Sequence, residues 1–226
     1  MENTLNPHAQ NCLQALMRCW FDFERRIQRV PIITRLNAGK FSNDDYLALL
    51  LNLRQQVIEG SRWIARSASS FDRNHAQVRS IAIGHAQDEH KDYLLLEKDF
   101  VNAGGNLTTI EQAPRNAGSE ALHAYLMYRA SQPNPIDMLG AMWIIEGLGQ
   151  KMASEWAERI DALIPAKNAT QFMRYHGEND DTHMQELYHL LDLTCTSAAA
   201  QTSIVKTATV VGRLYAMQLE EIDSEN

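Results

Sequence analysis

The sequence predicts an all-α fold, and three observations carry that expectation. The chain holds 11 glycines and 6 prolines in 226 residues, roughly 7.5% together against a usual ~12%. Valine occurs only seven times, which starves a sandwich or parallel sheet of the β-branched residues it needs. Leu, Ala, Gln, Met and Glu, which favour helices, are plentiful. A hydrophobic fraction of 45% is enough for a real core in a chain of this size. No long linker, fixed-period repeat or low-complexity tract divides it, so residues 1–226 are expected to form one helical domain.

Proline and glycine then set the elements. Asn6-Pro7 starts a helix, with a capping side chain followed by proline at the first helical position. That helix ends at Val30-Pro31, and a short segment runs to Ala38-Gly39. Ser42-Asn43-Asp44-Asp45 caps a helix of about 43–69, with Tyr46, Leu49, Leu53 and Ile64 on one face. The next, about 75–102, stops at Gly104-Gly105. A shorter one, 118–131, stops before Pro133 and Pro135. Helices near 136–162, 168–193 and 200–222 complete a bundle of about seven.

Several function classes fall away. A formal charge of −7 with no basic stripe opposes a nucleic-acid partner. Cys12, Cys19 and Cys195 form an odd set without a CxxC pair, so neither a disulfide framework nor a zinc ribbon is expected. The amino terminus lacks the pattern of a secretory signal, and no apolar run reaches the ~18 residues of a membrane span. The expectation is a cytoplasmic protein without a membrane partner. No GxGxxG or P-loop motif is present.

The positive signal is acid and imidazole where the helix pattern demands hydrocarbon. His176, Asp180 and His183 share a face with Phe172, Met173, Leu187, Leu190 and Leu191. Burying these three without partners costs several kcal/mol. A lone histidine on such a face is ordinarily a satisfied core residue, but three ligand types in register favour a metal ion. Glu146 lies on the stripe of Leu139, Met142, Ala153 and Ile160. Gly147 and Gly149 beside it imply a close neighbour or a local distortion.

In the 75–102 helix, placing Val78, Ile81, Ala82, Tyr93, Leu96 and Phe100 inward turns His85, Glu89 and Asp92 the same way. His90 falls off that face and stands in reserve as a ligand. Glu59, at the margin of its own helix's apolar face, is a further candidate. Glu120-x-x-His123 and Glu186-x-x-His189 have the spacing of ferritin-like diiron ligands, but His189 points away from the His176, Asp180 and His183 stripe. Met142, Trp143, Phe172 and Met173 would line an apolar approach, unless they are plain core.

Glu146 followed by His176-x3-Asp180-x2-His183 resembles the haem-oxygenase-like diiron oxidases, small helical proteins that share a fold with TenA and PqqC. Pro31, Leu36-x-x-Gly39 and Phe41-Ser42-x4-Leu47 extend the likeness into the amino half. The resemblance implies a haem-oxygenase-like bundle holding two iron ions, with Glu146 as shared carboxylate, His176 on one iron, and Asp180 and His183 on the other. The family's middle helix carries a Glu followed by a His three or seven residues on. Here Asp92 stands three residues after Glu89, so Asp92, His85 or His90 supplies the remaining ligand, or it is missing and one ion binds.

Imidazole and carboxylate suit iron, with manganese as the alternative ion. The implied reaction is O2-dependent oxidation of a small organic molecule by C–C cleavage, desaturation or N-oxygenation. Electrons would come from the substrate or an external donor, and the resembled fold often pairs as a homodimer. Two other readings stay open: a metal-free TenA- or PqqC-like protein acting on or binding a small heterocycle, and a helical interaction protein whose buried polar groups satisfy one another.

Overall fold

The computed structural model describes residues 5–223, and for residues 179–182 it describes the backbone alone. Among the described residues there are eleven α-helical segments and no strand. Helix α1 (Pro7–Ile27) starts as expected, with the Asn6 carboxamide oxygen accepting from the amides of His8 and Ala9. It buries Cys12, Leu16, Trp20, Phe23 and Ile27, the three- and four-residue spacing of one helical face. Helix α2 (Pro31–Asn37) is a short proline-started turn. Helix α3 (Asn43–Ser70) is held at its start by a reciprocal capping box between Ser42 and Asp45.

Eleven segments replace the expected seven partly because two long helices are interrupted at functional-looking places. The 75–102 helix divides into α4 (Ala76–Asp88) and α5 (Tyr93–Asn102), joined through a 3₁₀ turn at Glu89–Lys91. The 136–162 helix becomes α8 (Met138–Leu148) and α9 (Ser154–Leu163), with a π-helical turn at Gly149–Ala153 between them. Such turns need an altered hydrogen-bond register that periodicity does not reveal. The short α2 and α6 (Leu107–Gln112) add to the count, and α7 (Ala117–Ala130), α10 (Gln171–Thr194) and α11 (Ala198–Glu220) fall near their expected positions.

Helix α11 runs against α1, α7 and α8, while α3 packs on α4, α5 and α7. The α8–α11 contact is backbone to backbone: a Cβ at Gly140 would collide with Ile204 and come within 2.7 Å of the Ala208 amide nitrogen. Helix α10 lies across α8, the π turn and α9. Its start is fixed from another helix, because buried Asp99 of α5 accepts from the Gln171 amide at 3.0 Å and the Phe172 amide at 2.8 Å. A carboxylate at a helix N-terminus satisfies amides that have no intrahelical partner. This anchor lies one turn before His176. Among the described residues no helix is long and apolar enough to cross a membrane.

Candidate metal centre

Three parts of the bundle bring buried and half-buried acids and histidines together. Helix α4 presents His85 one turn before Glu89, and the 3₁₀ turn carries Glu89 into Asp92. Residues three apart eclipse one another in a 3₁₀ turn, so Glu89 and Asp92 project to the same side. Glu146 comes from α8, and His176 and His183 come from α10, two turns apart. Their donor atoms form two groups, each spanning no more than 4.8 Å: His85, Glu89, Glu146 and His183, and Glu89, Asp92 and His176. Glu89 belongs to both, whereas the resemblance gave the shared position to Glu146.

The spacing could accommodate an ion. His183 Nδ1 lies 3.2 Å from Glu146 Oε2 and 3.7 Å from Glu89 Oε1. His85 Nε2 lies 3.2 Å from Glu146 Oε1 and 3.9 Å from Glu89 Oε1. On the other side His176 Nε2 stands 3.4 Å from Asp92 Oδ2. Two donors each about 2.1 Å from one ion are about 3.0 Å apart in cis and about 4.2 Å apart in trans. The rings of His85 and His183 stack with centroids 4.3 Å apart, which fixes both imidazoles.

Electrostatics point to a cation. Among the described residues no lysine or arginine pairs with Glu89, Asp92 or Glu146; their ionic neighbours are histidines. Burial, reinforced by the charge of Glu146, pushes the Glu89 carboxyl up to about 7. Burial also raises Asp92, partly opposed by His176. For Glu146 burial works upward too, but His183 and His85 overcome it and hold the carboxylate well below its usual range. Burial lowers His85 while Glu146 raises it, and the rise wins.

Hydrogen bonding leaves the cluster incomplete. Both ring nitrogens of His85 and Asp92 Oδ2 are buried and lack a well-formed hydrogen bond among the described residues, although His85 Nε2 lies 3.2 Å from Glu146 Oε1. Buried polar atoms are otherwise nearly always satisfied. A mixed imidazole and carboxylate set with such atoms could hold a divalent transition-metal ion.

Not every expected residue joins the cluster. Glu59 is held by Arg62 at 2.7 Å and Arg115 at 2.8 Å, so its charge is answered without a metal. His90 is exposed and lines a surface groove with Arg62 and Arg79, because it sits beside Glu89 on the opposite side of the 3₁₀ turn. The side chain of Asp180 lies outside the described residues. His123 is 3.9 Å from Glu59, and exposed His189 meets Gln77; neither approaches the cluster.

Beside the cluster lies a cavity of about 80 Å³ that meets Glu89, Glu146 and His176. Phe172 and Met173 line it, with Trp63, Trp156, Gln56 and Tyr215. Trp143 does not line it: its indole N–H donates to the Leu16 carbonyl at 2.9 Å and ties α8 to α1. Met142 lines a second, smaller cavity on the His85 side. Gln56, Trp156 and Tyr215 had no distinguishing signal in the sequence, since each occupies an ordinary helix position. None of the three cysteines lines the larger cavity.

Gly177, next to His176, lets α10 approach α9 closely. A Cβ there would collide with the Ser154 hydroxyl and stand 3.1 Å from the Ser154 amide nitrogen.

The fold defines the class. The chain has a haem-oxygenase-like fold, similar to a domain of unknown function from Shewanella denitrificans OS217 described with that fold. The TM-score is 0.83 at 17% identity, over 92% of this chain and 90% of the other. It is also similar to a TenA homologue from P. horikoshii OT3, with TM-score 0.75, 13% identity and coverage of 95% and 99%. A TenA homologue from Pseudomonas syringae pv. tomato DC3000 gives 0.76 and 14%, covering 99% of both chains. No protein-family profile matches the chain, and no curated protein sequence does.

Proposed function

We infer that the protein is a non-haem iron enzyme that holds two metal ions and uses O2 to oxidise a small organic substrate. The observation that carries this reading is Glu89, a half-buried carboxylate common to two adjacent donor groups. His85, Glu146 and His183 would hold one ion, Asp92 and His176 the other, with Glu89 between them. Asp180 stays in the ligand set on its sequence spacing. Iron(II) bound there supplies the redox chemistry that activates O2; manganese(II) is the alternative ion for the same donors.

The chain's own residues prepare that chemistry. The stacked imidazoles of His85 and His183 keep their donors facing Glu146. Asp99 fixes the start of α10 and so the reach of His176. Phe172, Met173, Trp63 and Trp156 give the larger cavity apolar walls that exclude water and receive the body of the substrate. Gln56 and Tyr215 offer the polar groups that orient it. A cysteine-dependent reaction in this cavity has no support, because no cysteine reaches it.

The test is anaerobic reconstitution with Fe(II), a count of bound iron, and addition of O2 while the visible spectrum is followed. Wild type is expected to bind two equivalents and give a transient absorption band. Glu89→Ala is expected to lose both tight sites, and His123→Ala to lose neither. No iron uptake by wild type, or uptake undiminished in Glu89→Ala, overturns the assignment.

A further inference from the structure

The second cavity, about 30 Å³, adjoins the cluster at one residue, His85. Trp63 and Ile64 line both cavities and form the partition between them. Nearly all of the smaller cavity's wall is hydrocarbon, with Phe71, Val78, Leu139 and Met142 prominent. Its side-chain polar groups come from Ser67, Thr194, His85 and the Trp63 indole, and the Thr194 hydroxyl is already committed to the Leu190 carbonyl at 2.7 Å. Of the lining residues only Ile81, Ala82 and Ile136 are partly exposed; the others are buried.

A water molecule needs ~10–15 Å³ of such space and two to four polar partners, whereas apolar cavities stay dry and take up apolar guests. The volume is about that of two water-sized atoms, and the wall is overwhelmingly apolar, the nitrogens of His85 and Trp63 being the lining polar atoms left without a hydrogen-bond partner among the described residues. We propose that this cavity binds a small apolar gas, dioxygen in the reaction inferred above, and admits it between Ile81, Ala82 and Ile136 to the His85 edge of the cluster. Its service to iron rests on that functional reading; its affinity for an apolar gas does not. The substrate then fills the larger cavity without closing the path of the second reactant.

Xenon is the probe, applied under pressure to crystals of the metal-free protein and followed in solution by xenon NMR. A xenon atom among Val78, Leu139 and His85 is expected in wild type and absent in Ala82→Phe. In iron-loaded protein, Ala82→Phe is expected to raise the O2 concentration for half-maximal Fe(II) oxidation at least fivefold with unchanged iron stoichiometry. Ile136→Ala, which widens the opening, is expected to leave that concentration unchanged or lower it, and serves if the bulkier variant fails to fold. An ordered water on His85 Nδ1 in place of xenon, or no guest at all, overturns the proposal. So does an O2 dependence indifferent to Ala82→Phe. If iron fails to bind while xenon does, the gas site stands and the metal assignment falls.

Discussion

Two sets of buried carboxylates in this bundle are answered in opposite ways. Glu97 meets Arg54 at 2.6 Å, Asp137 meets Arg129 at 2.6 Å and accepts from Thr207 at 2.7 Å, and Glu59 lies between Arg62 and Arg115. Each of these acids has a permanent positive charge beside it. Among the described residues Glu89, Asp92 and Glu146 crowd one another and have histidines as their ion-pair partners, whose charge depends on protonation. The first arrangement is complete in the protein alone. The second closes only with protons or a cation, so burial of acid marks a site only where arginine and lysine are missing.

The largest expected effect falls on the answered set. Glu97→Ala leaves the Arg54 guanidinium, 7% exposed, without its counter-charge. Breaking a buried pair in this way costs about 3–5 kcal/mol. Urea unfolding is expected to show that loss while bound iron per chain is unchanged. A loss below about 1 kcal/mol, or a fall in bound iron, would erase the distinction between structural and site carboxylates.

Much of this division was legible before the structure. The 3.6-residue period places His85, Glu89 and Asp92 on one face, and the His176, His183 and Glu146 positions among hydrocarbons follow from the same arithmetic. The fold class followed from composition and capping, as at Asn6-Pro7 and Ser42 to Asp45. Partners across helices were not legible. Glu59 reads like Glu89 in sequence, and only tertiary packing brings Arg115, 56 residues away, to one and not the other. The 3₁₀ turn under Glu89 and the π turn after Glu146 were hidden because each alters the backbone register without changing the apolar pattern. Gly149 hinted at the second turn, and nothing hinted at the first.

A smaller effect, of opposite sign, is expected in the unanswered set. Glu89→Gln keeps the side-chain volume and removes a carboxylate that burial and Glu146 already disfavour. Without metal the variant is expected to be more stable than wild type by about 1 kcal/mol at pH 8, since a half-buried charge crowded by Glu146 and Asp92 is relieved. Added Fe(II) raises the unfolding midpoint of wild type by mass action on the native state, and this rise should vanish in the variant. A metal-free Glu89→Gln protein that is clearly destabilised would place Glu89 with Glu97, as a residue the fold itself requires.

Asp99 belongs to neither set and gives the finest test of the division. Among the described residues it makes no ion pair, yet two backbone amides at the start of α10 donate to it. Burial nevertheless prevails over those hydrogen bonds and pushes its carboxyl up to about 6. The unfolded chain titrates near ~3.9, so between those values the folded state holds the extra proton. Stability contributed by this group is therefore fully present below the unfolded value and is lost as pH rises through about 6. Lowering the pH from 7 to 5.5 should stabilise wild type relative to Asp99→Asn by on the order of 0.5–1 kcal/mol, whatever fixed cost the variant carries for its lost acceptor. Paired urea curves at the two pH values isolate that difference. An unchanged gap would mean that the helix-start amides alone satisfy a buried carboxylate, and the bare acids around Glu89 would then need a metal less urgently than their burial implies.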